Sequence, residues 1–286
     1  MPNKVVIGVG GSGQHVVHAY LRMLAMTNVA PNEVPHIYII DADAKEQAGA
    51  ADDTTLCPDI RGLHEHLVSP LSDQERSHFA LIRPYFQEHE DSLPGTAEQS
   101  LSLAKAEKDL VDIFLTDDPS DGSHAWANDR AVELKEGMMA NPKVGAISFA
   151  FKTQRVSDHQ SRQVNFRTLL EKAGGAHVAI IGSGFGGTGA GVIPALVRYL
   201  AAVQPIARPN SVRAFMMLKW FDIERKDGKP VSAAAIQSDG IDPQRRNAVL
   251  TLRTFFDELE SATIGNANYV IAQPLGDLAK RPDQGN

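Results

Sequence analysis

Two segments of this chain share one pattern, and that pattern constrains the fold more than anything else. An apolar, β-branched run leads into a glycine-rich turn, and the turn opens a helix. The first run is Lys4-Val5-Val6-Ile7-Gly8-Val9, followed by Gly10-Gly11-Ser12-Gly13-Gln14-His15 and a helical pattern from roughly Gly13 to Thr27, ending before Pro31. The second is His177-Val178-Ala179-Ile180-Ile181-Gly182, followed by Ser183-Gly184-Phe185-Gly186-Gly187-Thr188-Gly189-Ala190-Gly191. Its helix carries Val192, Ile193, Leu196, Val197 and Leu200 at helical spacing. Further apolar runs lie at 36–40, 212–218 and 268–272, with another candidate at 144–151. Apolar strands separated by helices predict a parallel sheet covered on both faces. The expected fold class is α/β: a doubly wound, mainly parallel six-stranded sheet with helices on both faces.

The rest of the chain is read around that sheet. Residues 44–143 hold no convincing strand but at least three helical patterns, and they predict a helical insertion. Residues 1–273 are expected to form one domain including that insertion, and 274–286 a polar tail. Ser72-x-x-Glu75 and Thr96-x-x-Gln99 read as capping boxes. Asp242-Pro243 marks a helix start, followed by Ala248, Leu252, Phe255, Phe256 and Leu259 on one face. A similar stripe, Val164, Phe166, Leu169, Leu170 and Ala173, ends at Gly174-Gly175, a C-cap signal. Residues 226–240 read as a polar loop.

Composition removes several classes. At 43% hydrophobic and 22% charged, the chain is not disordered overall. Cys57 has no second cysteine to pair with, which excludes a disulfide scaffold. There is no apolar run long enough for a membrane span and no secretory signal, so the expected location is cytoplasmic. A net charge of −7 without a basic block does not suit nucleic acid as the main partner.

The glycine turns carry the chemistry. Glycine lets backbone approach an anion closely, and a helix N-terminus offers unpaired N–H groups and the positive end of its dipole. Gly8, Gly10 and Gly13 match the dinucleotide fingerprint, and Asp41 closes the next strand, where a dinucleotide enzyme holds a ribose hydroxyl. A nicotinamide- or flavin-dependent Rossmann enzyme therefore fits the first 45 residues. The second turn adds six glycines in the ten residues from Gly182 to Gly191. A close helix–strand turn needs one or two. Two such turns imply two helix N-termini converging on one polyphosphate.

Gly186-Gly187-Thr188-Gly189-Ala190-Gly191 resembles the signature loop of the tubulin and FtsZ GTPases. Phe185 stands where that family has Gly, Ala or Ser, beside the phosphates. Gly8-Val9-Gly10-Gly11-Ser12-Gly13 resembles the first FtsZ phosphate loop, and Asp41-Ala42-Asp43 the loop whose acids approach magnesium and the γ-phosphate. Lys219-Trp220-Phe221-Asp222-Ile223-Glu224 is similar to the FtsZ segment whose Glu holds the ribose, which carries that role to Glu224. Arg245 or Arg246 stands loosely where an FtsZ arginine follows. The pattern lies nearer to divergent bacterial tubulin-like proteins than to FtsZ itself.

The resemblance implies GTP or GDP with Mg²⁺. Phosphates would lie between Gly10, Gly11, Ser12, Gly13 and Gln14 on one side and Gly184, Phe185, Gly186, Gly187, Thr188 and Gly189 on the other. Asp41 and Asp43 would face the metal, directly or through water. It also implies a cytoskeletal or nucleotide-switched assembly. The family's central helix, base-reading residue and second domain have no counterpart in residues 273–286: either the sequence is a fragment of a longer chain, or the second domain has been lost or is supplied by a partner, and self-association or a protein partner is then expected to complete the site. Hydrolysis by this chain is expected to be slow. A scaffold that binds nucleotide without hydrolysing it is a further alternative.

Smaller signals have plainer readings. His64-Glu65-His66 reads as a solvated helix face rather than a metal pair, and Cys57 has no adjacent base. His15 and His18 flank the first turn, with phosphate contact and helix packing both open for His15. Trp220 and Phe221 read as core, with shielding of the ribose as the alternative.

Overall fold

The computed structural model describes residues 4–41, 60–76, Pro142, 144–146, Phe149, 173–202, Pro209, 211–218, 248–249 and 251–254, and the backbone of 267–272. Five strands among these residues form one sheet: β1 (Lys4–Val9), β2 (His36–Ile40), β3 (His177–Ser183), β4 (Ser211–Met217) and β5 (Ala267–Ala272). Their order is β2-β1-β3-β4-β5, and every neighbouring pair is parallel. The helices with both ends among the described residues are α1 (Gly10–Met26), α2 (Ile60–Val68), α3 (Asp73–Arg76) and α4 (Gly187–Ala202), with a 3-10 turn at Pro31–Glu33.

The strand sequences explain the layers. β2 is buried along its whole length, and β1 from Val5 onward, as expected for strands covered on both faces. Val5, Ile7 and Val9 of β1, with Tyr38 and Ile40, pack against Val192, Ile193, Leu196, Val197 and Leu200 of α4. Val6, Ile37 and Ile39 point the other way, to Val17 and Leu21 of α1 and Ile60, Leu67 and Val68 of α2. The alternation follows from the strand period of two, and it makes a three-layer α/β/α domain.

Several sequence expectations are met and several are corrected. The Ser72–Glu75 capping box forms reciprocally. The Ser72 amide donates to Glu75 Oε2 (3.0 Å) and the Glu75 amide to Ser72 Oγ (3.3 Å). Gly175 takes φ +68° just after helical Ala173, so Gly174-Gly175 ends that helix as expected. α1 begins three residues earlier than its pattern suggested, at Gly10, whose φ of +67° turns β1 straight into the helix.

The expected strand at 144–151 is not one: Pro142, Val144, Gly145, Ala146 and Phe149 are helical. A short apolar run does not separate strand from buried helix by periodicity, and here tertiary packing decides. The expected six strands are therefore five among the described residues. His64 is also corrected. It is buried at 3% exposure on the inner face of α2, while His66, two residues on, is exposed. Burial holds the His64 imidazole down at about 4, and its Nε2 has no hydrogen-bond partner. The Thr96 box, the 164–170 stripe, Asp242-Pro243, Trp220 and Phe221 lie outside the described residues.

Candidate functional site

Parallel pairing brings three strand ends to one edge of the sheet. Val9 is level with Ile40 on one side and Gly182 on the other. Gly10, Asp41 and the turn after Ser183 therefore leave the sheet side by side. β1 sends its helix toward β2, while β3 connects onward through α4 to β4 on the opposite side. The strand order thus reverses between β1 and β3, the switch point where open α/β sheets hold ligands.

Both glycine turns open a helix at this point. At α1 the residue before the helix, Val9, is extended (φ −115°, ψ 119°) and supplies no side-chain cap. Neither α1 nor α4 has an acid in its first turn. In α4 the first helical hydrogen bond runs from the Ala190 amide to the Gly186 carbonyl (3.1 Å). The amides of Gly187, Thr188 and Gly189 precede it and have no acceptor within the helix.

The two starts abut. A Cβ built at Gly10 would lie 3.4 Å from Thr188 Cβ and 3.6 Å from the Gly189 nitrogen. The second turn is pinned from behind. The Gly184 amide donates to the Met217 carbonyl (2.9 Å), and the buried Thr251 hydroxyl donates to the Gly184 carbonyl (3.2 Å).

Most glycines here answer to neighbouring backbone. A Cβ at Gly13 would come within 2.5 Å of the Ile181 carbonyl oxygen, and one at Gly189 within 2.1 Å of the Ser183 oxygen. At Gly191 it would meet the Pro142 oxygen at 2.3 Å, and at Gly182 the Val9 oxygen at 2.8 Å. Gly13 thus seats α1 on β3, Gly189 seats α4 on the end of β3, Gly191 seats α4 on residue 142, and Gly182 lets β3 lie close to β1. The expectation that such a turn needs only one or two glycines for packing is therefore corrected. Gly186 is different, since its Cβ would meet only Ser183 Oγ, at 3.2 Å.

Gln14 and Asp41 meet at the same edge. The Gln14 side-chain amide donates to Asp41 Oδ2 at 2.5 Å. A carboxylate accepts only, so the amide nitrogen must face it and Oε1 must face away. That Oε1 is buried without a hydrogen-bond partner. Gly11 and Ser12 are half-buried, and Gly13, Gly184, Phe185, Gly187, Thr188 and Gly189 are buried. His15 is exposed and His18 half-buried. Asp43, Glu224, Lys219, Arg245 and Arg246 lie outside the described residues.

Sequence reading missed two supports of the site. Thr251 carried no motif. Gly145 was concealed in an apolar run, although a glycine there was the one available signal. Among the described residues no group of three or more His, Cys, Asp or Glu could hold a metal, and no helix is long and apolar enough to cross a membrane.

No protein-family model and no curated protein matches the chain. Solved structures do. CetZ2 from Haloferax volcanii, a GTPgS-bound protofilament, is 13% identical, with 95% of this chain and 49% of that one covered and a TM-score of 0.42. CetZ1 from the same organism, a GDP-bound monomer, is 12% identical over 95% and 51%, with a TM-score of 0.45. CetZ from Methanosaeta thermophila strain DSM 6194 is 12% identical over 96% and 46%, with a TM-score of 0.46. The chain thus spans about half the length of these structures.

Proposed function

We propose that the crevice between β1 and β3 binds the polyphosphate of a guanine nucleotide, and that the chain is a tubulin/FtsZ-like nucleotide-binding domain. One observation carries the reading: the first turns of α1 and α4, neither of which holds an acid, stand against each other at Gly10 and Thr188. Each turn presents backbone N–H groups and a positive dipole end, and two together suit a chain of anionic groups better than a single phosphate. The signature Gly186-Gly187-Thr188-Gly189-Ala190-Gly191 then favours GTP or GDP.

The residues fit such a group. Glycine leaves both turns without a side chain at the points of closest approach, and Thr188 brings a hydroxyl. Mg²⁺ would supply charge neutralisation between phosphates when bound, with Asp41, and Asp43 beyond it, facing it through water. Gln14 holds the Asp41 carboxylate in one orientation. Hydrolysis further requires a group that positions the attacking water. Among the described residues at this edge the acid is Asp41, already engaged by Gln14. We therefore read turnover as slow, rising with self-association or with a partner that brings a second carboxylate. A cytoplasmic, cytoskeletal or nucleotide-switched role belongs to the same proposal.

A second reading has its own observation. Asp41 directly follows β2, next to the Gly8-Gly10-Gly13 turn, the place of the ribose-binding acid in nicotinamide and flavin folds. The nucleotide released when the purified protein is denatured separates the two. Guanosine di- or triphosphate supports the first reading; NAD or a flavin supports the second and overturns the first.

A further inference from the structure

The helical residues between 142 and 149 lie directly on the start of α4. A Cβ at Gly145 would come within 2.7 Å of the Gly187 carbonyl oxygen, and within 3.6 Å of Gly191 Cα. From the other side, a Cβ at Gly191 would come within 2.3 Å of the Pro142 oxygen, 2.8 Å of the Ala146 nitrogen and 3.1 Å of the Gly145 carbonyl carbon. Real Cβ atoms do not approach backbone so closely, so neither position admits a side chain without moving one helical segment off the other. Gly187 and Gly191 are one turn apart and share a face of α4, and Gly145 sits against both. The segment is anchored on the core as well. Val144 and Phe149 are buried, and Phe149 meets Tyr199 edge-on, with ring centroids 6.3 Å apart and planes at 89°.

Resting on the polyphosphate reading above, we infer that Gly145 and Gly191 are positioning residues for the anion-binding turn. Their bare backbones let the 142–149 segment hold Gly187 from behind, and the amides of Gly187, Thr188 and Gly189 take their direction from that seat. With no side chain between them, the backbone at Gly145 packs against the Gly187 carbonyl, and that contact fixes the first turn of α4 in place and in rotation. The consequence is specific. Lifting the segment tilts the amides away from the phosphates, while β1, β3 and the α1 turn stay as they are.

Gly145→Ala tests this, with Phe149→Leu as a comparison that trims the same segment away from the turn. Two readouts are taken: affinity for GTP with magnesium, well below the melting temperature, and hydrogen exchange of the Ala190, Gly191 and Val192 amides without nucleotide. Gly145→Ala should weaken GTP binding about tenfold or more, since a misplacement of about 1 Å can cost as much as a hundredfold at a preorganised site. It should also speed exchange at those amides. Phe149→Leu should lower the melting temperature and move both readouts less than Gly145→Ala does. If Gly145→Ala lowers the melting temperature in the same way, with affinity and exchange unchanged, the inference is overturned. Should Gly145→Ala fail to fold, Val144→Ala loosens the seat instead of forcing it. Faster exchange at the three amides then supports the inference and unchanged exchange overturns it. A wild-type chain that binds no GTP sinks the polyphosphate reading alone, because the exchange measurement still reports whether the segment holds the turn.

Discussion

Gln14 donates its side-chain amide to Asp41 Oδ2 at 2.5 Å and so ties the first turn of α1 to the end of β2. The bond joins a buried amide to a carboxylate, and hydrogen bonds to charged groups contribute about 1.5–3 kcal/mol. A double-mutant cycle with Gln14→Ala and Asp41→Ala, read by urea unfolding, should show coupling of about that size. Additive losses would mean that the two side chains are neighbours without being partners.

Asp41 should matter more for the third phosphate than for the second. Asp41→Asn keeps the shape and an acceptor for Gln14 but removes the charge that, on the proposed reading, faces the metal. Binding of GTP in magnesium should weaken more than binding of GDP, because the terminal phosphate and its ion are the charges the acid serves. Equal losses for the two nucleotides would reduce Asp41 to a shaping role.

Glycine substitutions should sort by what the new methyl group meets. Gly13→Ala and Gly189→Ala drive a Cβ into backbone carbonyl oxygens at 2.5 and 2.1 Å. Each should destabilise by about 1–3 kcal/mol or more, the usual range for overpacking. Gly62 lies within α2, exposed, with nothing within 4 Å of its Cβ. Gly62→Ala should stabilise by about 0.5–1 kcal/mol through helix propensity. Thermal unfolding of the three variants would contradict the packing account if they behaved alike.

His64 should make the domain acid-sensitive. Burial lowers its folded-state value to about 4 from the ordinary 6.5, so the unfolded chain binds the proton more readily. The neutral imidazole's contribution is intact above about 6.5 and is lost as the pH falls toward about 4, by on the order of 3 kcal/mol at most. His64→Leu should flatten that part of the stability curve. An unchanged slope between pH 6.5 and 4 in the variant would place the sensitivity elsewhere.

The layers of the sheet were legible because β1 and β2 are apolar on both faces and β3 leads into a glycine-rich turn. Gly10 and Thr188 could be expected to converge because each follows a parallel strand, and parallel strands end at one edge. The helical state of 144–149 was not legible. Val144, Gly145, Ala146 and Phe149 read equally as a buried strand, and the choice rests on contact with Gly187 and Gly191, far along the chain. His64 was misread for a related reason: neighbouring polar residues suggested a solvated face, while Ile60, Leu67 and Val68 turn that face inward. The glycines of the second turn were legible as a feature but not in cause. Their methyl-free sides meet Ser183, Pro142 and Val9, and no local pattern reveals a contact with residue 142.

Titration of the purified chain with GTP, GDP and NAD in magnesium, repeated for Gly11→Val and Gly186→Val, tests the central claim most directly. A Cβ at Gly186 would stand 3.2 Å from Ser183 Oγ, so the hydroxyl must give slightly, and Gly11 is half-buried, so these variants load one turn each at the crevice. The account predicts binding of one guanine nucleotide per wild-type chain, and loss of that binding in both variants while circular dichroism remains native. Binding of NAD in preference to GTP, or GTP binding that survives Gly186→Val while Gly11→Val abolishes it, would contradict a polyphosphate held between two helix starts.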